Sequence, residues 1–280
     1  MTSLPLKWHG GKHYIAKQII ALFPPRDSYV HYVEPFFGGG SVLFEHDSEG
    51  KSEVVNDLNG ELTNFWSVLQ SPVGFAQMRR DLENIPLSIN EFDKAQATLS
   101  EPVESSVPVD RAVAFFIRYR QSRQGLGKDF ATLSRNRTRR GMNEQASSWQ
   151  SAIDGLPEAH ARLKRVVILN SDAGKVICQQ DGDKTVFYCD PPYLHETRKA
   201  TDAYECEMSA VEHESLLQCL SRINGRFLLS GYPSRLYDHF AEAYKWRRVD
   251  IQIDNKASSA KTKEIKTECV WLNYSPGNSQ

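Results

Sequence analysis

The sequence predicts an α/β fold built on an open, mostly parallel sheet, with an antiparallel hairpin at the C-terminal edge and a mostly helical segment inserted in the middle. Three observations predict it. Short, nearly continuous apolar runs rich in β-branched and aromatic residues recur along the chain, the pattern of strands covered on both faces. Helical patterns lie between these runs, and strand–helix–strand alternation implies right-handed crossovers. Near the C-terminus two strand-like runs follow one another with no helical pattern between them, which reads as a hairpin.

Taken in order, the strands are expected at 29–36, 53–57, 166–170, 186–189 and 227–230, and the helices at 13–23, 41–46, 61–69, 156–163 and 211–223. The hairpin takes 247–254 and 268–274, joined by the polar stretch 255–267, and the tail 275–280 is polar and expected to fray. Between 71 and 154 the alternation breaks. Pro72, Pro86, Pro102 and Pro108 punctuate this stretch, with helical patterns at 89–99 and 111–120. The organisation read from this is one domain made of 1–70 and 155–280, carrying 71–154 as a helical insertion.

Composition sets the limits. Of 280 residues 25% are charged and 40% apolar, and 34 Lys plus Arg against 35 Asp plus Glu leave a formal net charge of −1. These proportions are those of a globular protein and exclude long disorder. They also exclude a uniformly basic nucleic-acid binder, though not a local patch. No run approaches the ~20 apolar residues of a membrane helix, and residues 1–12 lack a signal-peptide core, so a cytoplasmic protein with no membrane association is expected. The five cysteines are odd in number and irregularly spaced, so neither a disulfide framework nor a metal site is expected. Cys178, Cys189 and Cys219 lie in apolar stretches and read as small core residues. The charge is uneven: 111–140 holds nine Arg or Lys and one acid, Asp129. Such a run is a solvated face or the footprint of an anionic partner, and in a chain of net charge −1 the second is favoured.

Three motifs carry chemistry. Glu34-Pro35-Phe36-Phe37-Gly38-Gly39-Gly40-Ser41 follows a strand and is expected to open a helix, where glycines permit a sharp turn and close ligand approach and a helix N-terminus offers N–H groups. It has neither the Gly-Lys-Ser/Thr ending of a Walker loop nor dinucleotide Gly-x-Gly-x-x-Gly spacing. Asn56-Asp57-Leu58-Asn59 ends the next strand. An acid there, about 20 residues beyond the Gly-rich turn, commonly accepts from ribose hydroxyls, although Asp57 as a helix cap is the alternative. Asp190-Pro191-Pro192-Tyr193 ends strand 186–189. Two prolines cannot lie inside a central strand, so they stiffen a loop at the carboxyl edge, where open α/β sheets bind ligands. That loop offers a carboxylate, a proline carbonyl and an aromatic ring.

With these motifs in place the chain resembles the Dam-type DNA adenine-N6 methyltransferases. The resemblance rests on Lys7-Trp8-His9-Gly10-Gly11-Lys12, Glu34–Ser41, Asn56–Asn59 and Tyr188–Tyr193, in this order, and spans the whole chain, least closely in the insertion. It implies a Rossmann-like methyltransferase sheet, S-adenosyl-L-methionine as cofactor and double-stranded DNA as partner, with the insertion as target-recognition subdomain. It implies that Trp8 and Lys12 lie over the cofactor, that Phe36, Phe37 and Gly38 line its methionine portion, that Gly40 also binds the cofactor, and that Asp57 holds its ribose. Asp172, or else Ser171, takes its adenine amine. Asp190, Pro191, Pro192 and Tyr193 form the catalytic loop, with Asp190 also bordering the cofactor. Trp8 as a core aromatic and Lys12 as a surface residue remain the alternatives.

The chemistry is consistent with those residue types. The adenine amine is a poor nucleophile because its lone pair is delocalised, and a loop that accepts its N–H hydrogens localises that pair. An ionised Asp and a proline carbonyl only accept, and the carboxylate stabilises the positive charge that develops on transfer. The target base has to leave the duplex, with Tyr193 receiving it by stacking. Arg118, Arg120, Arg123, Lys128, Arg135, Arg137, Arg139 and Arg140 are the expected DNA contacts, and Lys256, Lys261, Lys263 and Lys266 in the hairpin loop are either a second set or a solubilising edge. Family members that read GATC carry an aromatic, Asn-rich stretch around an Asn-Gly pair where this chain has Arg118-Tyr119-Arg120-Gln121-Ser122-Arg123-Gln124-Gly125-Leu126-Gly127. Recognition of another sequence, or broad methylation, is therefore open. So are cytosine-N4 or RNA as substrate, a small-molecule acceptor, a silent nucleic-acid binder, and a monomer or weak dimer.

Overall fold

The computed structural model describes residues 4–103, 107–194, 207–254 and 265–276. They divide into two units. The first comprises Met1–His13, Gly38–His46 and Asn59–Asn170, the second Tyr14–Phe37, Asp47–Leu58 and Ser171–Gln280.

The second unit carries the sheet. Strands β1 (His31–Glu34), β2 (Ser52–Asn56), β6 (Thr185–Cys189), β7 (Arg226–Gly231), β8 (Arg247–Asp254) and β9 (Ile265–Leu272) lie in the order β2-β1-β6-β7-β9-β8. β2, β1, β6 and β7 are parallel, in a register that pairs Val33 with Val54 and Phe187 and Phe187 with Phe227. β9 runs antiparallel to both β7 and β8. The parallel strands are buried on both faces: Tyr32, Val33, Val55, Val186, Phe187, Cys189, Phe227, Leu228 and Leu229 are fully buried, as their unbroken apolar runs require. Helices α1 (Ala16–Ile20), α8 (Ala173–Gln180), α9 (Ala210–Leu220) and α10 (Arg235–Ala243) belong to this unit. α9 opens on a capping box in which Ser209 and Glu212 exchange hydrogen bonds, satisfying two orphan donors at once.

The first unit is mostly helical: α2 (Gly60–Gln70), α3 (Pro72–Glu83), α4 (Ile89–Ser100), α5 (Pro108–Arg120), α6 (Glu144–Asp154) and α7 (Leu156–Leu163), with β5 (Val166–Leu169) and a two-stranded ribbon of β3 (Thr138–Arg139) and β4 (Met142–Asn143). Its core is aromatic. Phe65 stacks on Phe115 and Phe116, with centroids 5.8 and 6.1 Å away, and Trp149 packs on Phe116. The buried Arg111 guanidinium is held by Glu61 at 2.5 Å and by the Thr98 and Glu101 carbonyls, as a buried cation requires.

Several expectations are corrected. Residues 41–46 form successive turns, not a helix. Gly40 has φ +71°, outside the helical region, and of the bonds that follow, Phe44 N–H to Gly40 spans four residues while Glu45 N–H to Val42 spans three. A stretch of six residues that mixes the two does not repay helix nucleation. The helix expected at 13–23 is only five residues long. Helices α3 and α6 lie in the stretch expected to be mostly helical, though not at the patterns read there; α8, α10 and the β3–β4 ribbon lie outside the expected elements. Pro72 sits in the first turn of α3 behind the Ser71 cap, a position where its missing N–H costs nothing; Pro108 also lies in the first turn of α5. Cys178 is exposed and Cys219 half-buried, so neither is a core residue, and their sulfurs lie 3.7 Å apart; on α8 the buried positions are taken by Val176 and Ile177. The stretch 255–264, with Lys256, Lys261 and Lys263, lies outside the described residues, as does Cys206.

No helix among the described residues is long and apolar enough to cross a membrane. Among the same residues no group of three His, Cys, Asp or Glu is arranged to hold a metal ion.

Candidate active site

In the second unit, four parallel strands end at one edge of the sheet, and each is followed by chemistry. Glu34 ends β1 and leads into Pro35-Phe36-Phe37; Asn56 ends β2 and precedes Asp57; Asp190-Pro191-Pro192-Tyr193 follows β6; Tyr232 follows β7. Asn56, 1% exposed, laces this edge together. Its amide donates to the Pro35 and Ser171 carbonyls at 2.9 and 3.0 Å and accepts from the Ser171 N–H at 2.9 Å. The Phe37 N–H adds a bond to the Asn56 carbonyl at 2.8 Å. The loops carrying Phe36, Phe37, Asp57 and Asp172 are thus fixed by one side chain.

Asp57 is half-buried and does not cap α2. That cap is Asn59, whose side chain accepts from the Leu62 N–H at 3.0 Å. Asp172 caps α8, accepting from the Lys175 N–H at 2.8 Å. Phe37 is buried and Phe36 half-buried.

The loop after β6 closes on itself and on β9. The Tyr193 hydroxyl lies 3.2 Å from Asp190 Oδ1 and also donates to Glu268 Oε1. Burial, with Asp190 and Glu268 close by, pushes the Tyr193 hydroxyl well above the ordinary phenol range, so it stays a donor. The ring, 6% exposed, packs edge-on against Tyr232 with centroids 4.7 Å apart. Beneath the loop, the Tyr188 hydroxyl pairs with Ser230 Oγ at 3.0 Å, and Tyr32 donates to Glu34 at 2.6 Å. Asp190 is half-buried, while Glu34 and Glu268 are 2% exposed. The two buried carboxylates, Glu34 and Glu268, are each bonded by a tyrosine hydroxyl, as buried charges require.

In the first unit, Trp8 rests on the Gly-rich turn. A Cβ on Gly39 would meet Trp8 Cβ at 2.6 Å, and Gly38, at φ +50°, lies against the Trp8 indole nitrogen. Both positions therefore require glycine. Trp8 also packs on Tyr119 and Phe115, with centroids at 4.8 and 6.3 Å, yet stays half-exposed. Lys12 is 4% exposed and donates to the Gly10 carbonyl at 2.9 Å, so it is not a surface residue. Trp66 Nε1 holds the Gly38 carbonyl at 3.1 Å. The helix N-terminus expected behind Gly40 is absent, for the reason given above.

The basic stretch divides in two. Arg118 donates to the Gly127 carbonyl at 3.0 Å, and Arg120 donates to the Leu4 and Pro5 carbonyls. Burial holds the Arg120 guanidinium down at about 10. Gln121 and Ser122 are fully buried and bonded within the fold. Gly125, at φ +70°, packs so tightly on the Lys7 carbonyl that no side chain fits. Much of 118–127 is thus occupied in holding the N-terminal segment. Arg123, Lys128, Arg135, Arg137, Arg139 and Arg140 are exposed. Arg123 pairs with Asp129 at 3.1 Å, and Arg140 with Asp154 at 3.5 Å. Arg140 and Gly141, both at positive φ, form the two-residue turn of the β3–β4 ribbon, a geometry matched to strand twist.

Sequence reading missed Glu268 and the bonding role of Asn56. Glu268 sits in what reads as an edge hairpin, far along the chain from Tyr193. Its one signal is an acid next to the apolar run of β9, Cys269–Leu272.

Comparison with known proteins identifies the family. A family model described as D12 class N6 adenine-specific DNA methyltransferase matches residues 8–255. The Type II methyltransferase M1.LlaDCHI of Lactococcus lactis subsp. cremoris is 24% identical over 282 residues, covering 96% of this chain and 94% of its own. The DNA adenine methylase of Haemophilus influenzae is 24% identical over 275 residues, covering 93% and 91%. Among solved structures, the rRNA methyltransferase aviRa of Streptomyces viridochromogenes aligns with a TM-score of 0.40 at 13% identity, over 93% of this chain and 83% of that one. With a family model spanning nearly its whole length and the Asp190–Tyr193 loop at the carboxyl edge of the sheet, this chain belongs to the D12 class N6 adenine-specific DNA methyltransferases.

Proposed function

We propose that this enzyme transfers a methyl group from S-adenosylmethionine to the N6 amine of an adenine flipped out of double-stranded DNA, with Asp190-Pro191-Pro192-Tyr193 accepting the amine. The observation that carries this assignment is the Asp190–Tyr193–Glu268 cluster at the end of β6. It anchors an acceptor-only carboxylate beside a proline carbonyl, the pair needed to draw the amine lone pair out of the ring.

When bound, S-adenosylmethionine supplies an electrophilic methyl group on a sulfonium. The residues fit such a cation. Asp57, half-buried on the loop after β2, would hold the ribose hydroxyls. Phe36 and Phe37 would line the methionine portion; in the first unit, Gly38, Gly40, Trp8 and Lys12 keep the cofactor roles that the resemblance implies. Asp172 takes the adenine amine alongside its cap bond; the Ser171 backbone is already bonded to Asn56, which favours Asp172 over Ser171.

Asp190 accepts one N–H of the target amine and the Pro191 carbonyl accepts the other. As the nitrogen gains positive charge, the Asp190 carboxylate stabilises it, and the excess proton leaves toward that oxygen. Pro192 stiffens the loop. Tyr193 stacks on the base; because its ring is 6% exposed, the arriving base displaces part of its packing on Tyr232. DNA is held by the exposed Arg123, Lys128, Arg135, Arg137, Arg139 and Arg140. Arg118 and Arg120 act on DNA only through the segment they hold.

The test is direct. The protein is incubated with S-adenosylmethionine and unmethylated DNA, the DNA digested, and its nucleosides identified by mass spectrometry. N6-methyladenine is expected. N4-methylcytosine would keep the chemistry and change the base, and no modified base with cofactor binding intact would overturn the proposal.

A further inference from the structure

The geometry points to Glu268 as a positioning residue for methyl transfer, one that acts through the Tyr193 hydroxyl by engaging its single O–H in a hydrogen bond and so leaves Asp190 to accept from the target amine. The inference rests on the proposed role of Asp190.

A phenol has one proton to donate. Tyr193 lies within hydrogen-bonding reach of two carboxylates, Asp190 at 3.2 Å and Glu268. Burial raises the Tyr193 hydroxyl well above its ordinary value, so that proton is always present and the two carboxylates compete for it. Their surroundings decide the competition. Glu268 is 2% exposed on β9, one residue beyond the Cys269–Gly231 pair that ends the β7–β9 ladder. Asp190 is half-buried and reached by solvent. A desolvated carboxylate gains more from a hydrogen bond than a solvated one, so the proton belongs mainly to Glu268. A carboxylate that accepts from a strong donor is a weaker acceptor for another. Without Glu268 the phenol would turn fully to Asp190 and compete with the adenine amine. With it, Tyr193 steadies the loop while Asp190 keeps its acceptor strength for the substrate.

The test is a double-mutant cycle on the full-length protein, measuring kcat and the KM for S-adenosylmethionine and for DNA. Glu268→Gln is expected to lower kcat about tenfold to a hundredfold, the range for one charge-assisted hydrogen bond, with both KM values within about twofold. In a Tyr193→Phe background the same substitution is expected to cost nothing further, since the hydroxyl through which it acts is gone. Glu268→Asp, which keeps the charge, should recover part of the loss. A role in folding alone would lower activity by the same factor in both backgrounds, and that result would overturn the inference, as would wild-type kcat in Glu268→Gln. If Glu268→Gln does not fold by circular dichroism, the cycle is run with Glu268→Asp and the same criterion. Asp190→Ala distinguishes the two levels. If it is inactive while Glu268→Gln turns over normally, only the present inference fails. If Asp190→Ala turns over normally, the proposed role of the loop fails first.

Discussion

Asn56 offers the sharpest test of how the carboxyl edge of the sheet is held. Replacing it by Ala removes three hydrogen bonds of 2.9–3.0 Å from a side chain that is 1% exposed. At ~1 kcal/mol for each neutral bond the loss is about 3 kcal/mol. The Pro35 carbonyl and both backbone groups of Ser171 lose their partner at once, and at ~1–3 kcal/mol for a buried group left unsatisfied the cost rises above that figure unless water enters the gap. For a unit of this size the ~3 kcal/mol of the three bonds alone is a fall in Tm of about 6–12 °C. The functional consequence is separate. The loops bearing Phe36, Phe37, Asp57 and Asp172 lose their common tie, so Kd for S-adenosylmethionine should rise more than tenfold even where the protein stays folded. Asn56→Asp sharpens the reading: it is nearly isosteric and keeps the acceptor for the Ser171 N–H, but sets a carboxylate oxygen against two carbonyls, so it should do worse than Ala. Urea unfolding followed by circular dichroism and titration calorimetry with S-adenosylmethionine give both quantities. A stability loss under ~1 kcal/mol with unchanged cofactor affinity would refute the argument that Asn56 organises this edge.

Three further outcomes follow. Asp190→Ala should abolish methyl transfer while leaving DNA affinity, measured by fluorescence anisotropy, nearly unchanged. Replacing Arg135, Arg137, Arg139 and Arg140 together by Ala should weaken DNA binding and flatten the dependence of log K on log salt by up to ~3.6, at ~0.9 per phosphate lost; the drop should be smaller because Arg137 and Arg140 already face Glu144 and Asp154, and an unchanged slope would move the DNA surface elsewhere. In alkali, Tyr32, Tyr188 and Tyr193 resist ionisation in the folded state because burial raises all three. Their contribution is complete below the ordinary phenol value near 10 and is lost as pH rises beyond it, because the unfolded chain then releases protons the folded one retains. Stability should fall by up to ~4 kcal/mol per pH unit there, with tyrosinate absorbance from these residues appearing only as the chain unfolds; its appearance before unfolding would contradict their burial.

Some of this protein was fixed locally and could be read in one dimension. Strands covered on both faces have to be apolar without alternation, so β2, β6 and β7 show in the sequence to within about a residue at each end. Prolines cannot continue a central strand, so Pro191 and Pro192 mark where β6 stops and put Asp190 and Tyr193 at its carboxyl end. The basic stretch is visible as composition. What the tertiary structure decided depends on groups far apart in the chain. Asn56 and Ser171 are 115 residues apart and Tyr193 and Glu268 are 75 apart, and no periodicity encodes a hydrogen bond across such distances. Composition also cannot tell a cation facing solvent from one turned inward: Arg120 reaches the carbonyls of the N-terminal segment, while Arg135 and Arg139 stay exposed. The same applies to short turns. Whether 41–46 becomes a helix depends on the positive φ of Gly40 and on where the chain must go next, and that is set by packing, because six residues carry too little intrinsic helix stability to decide it.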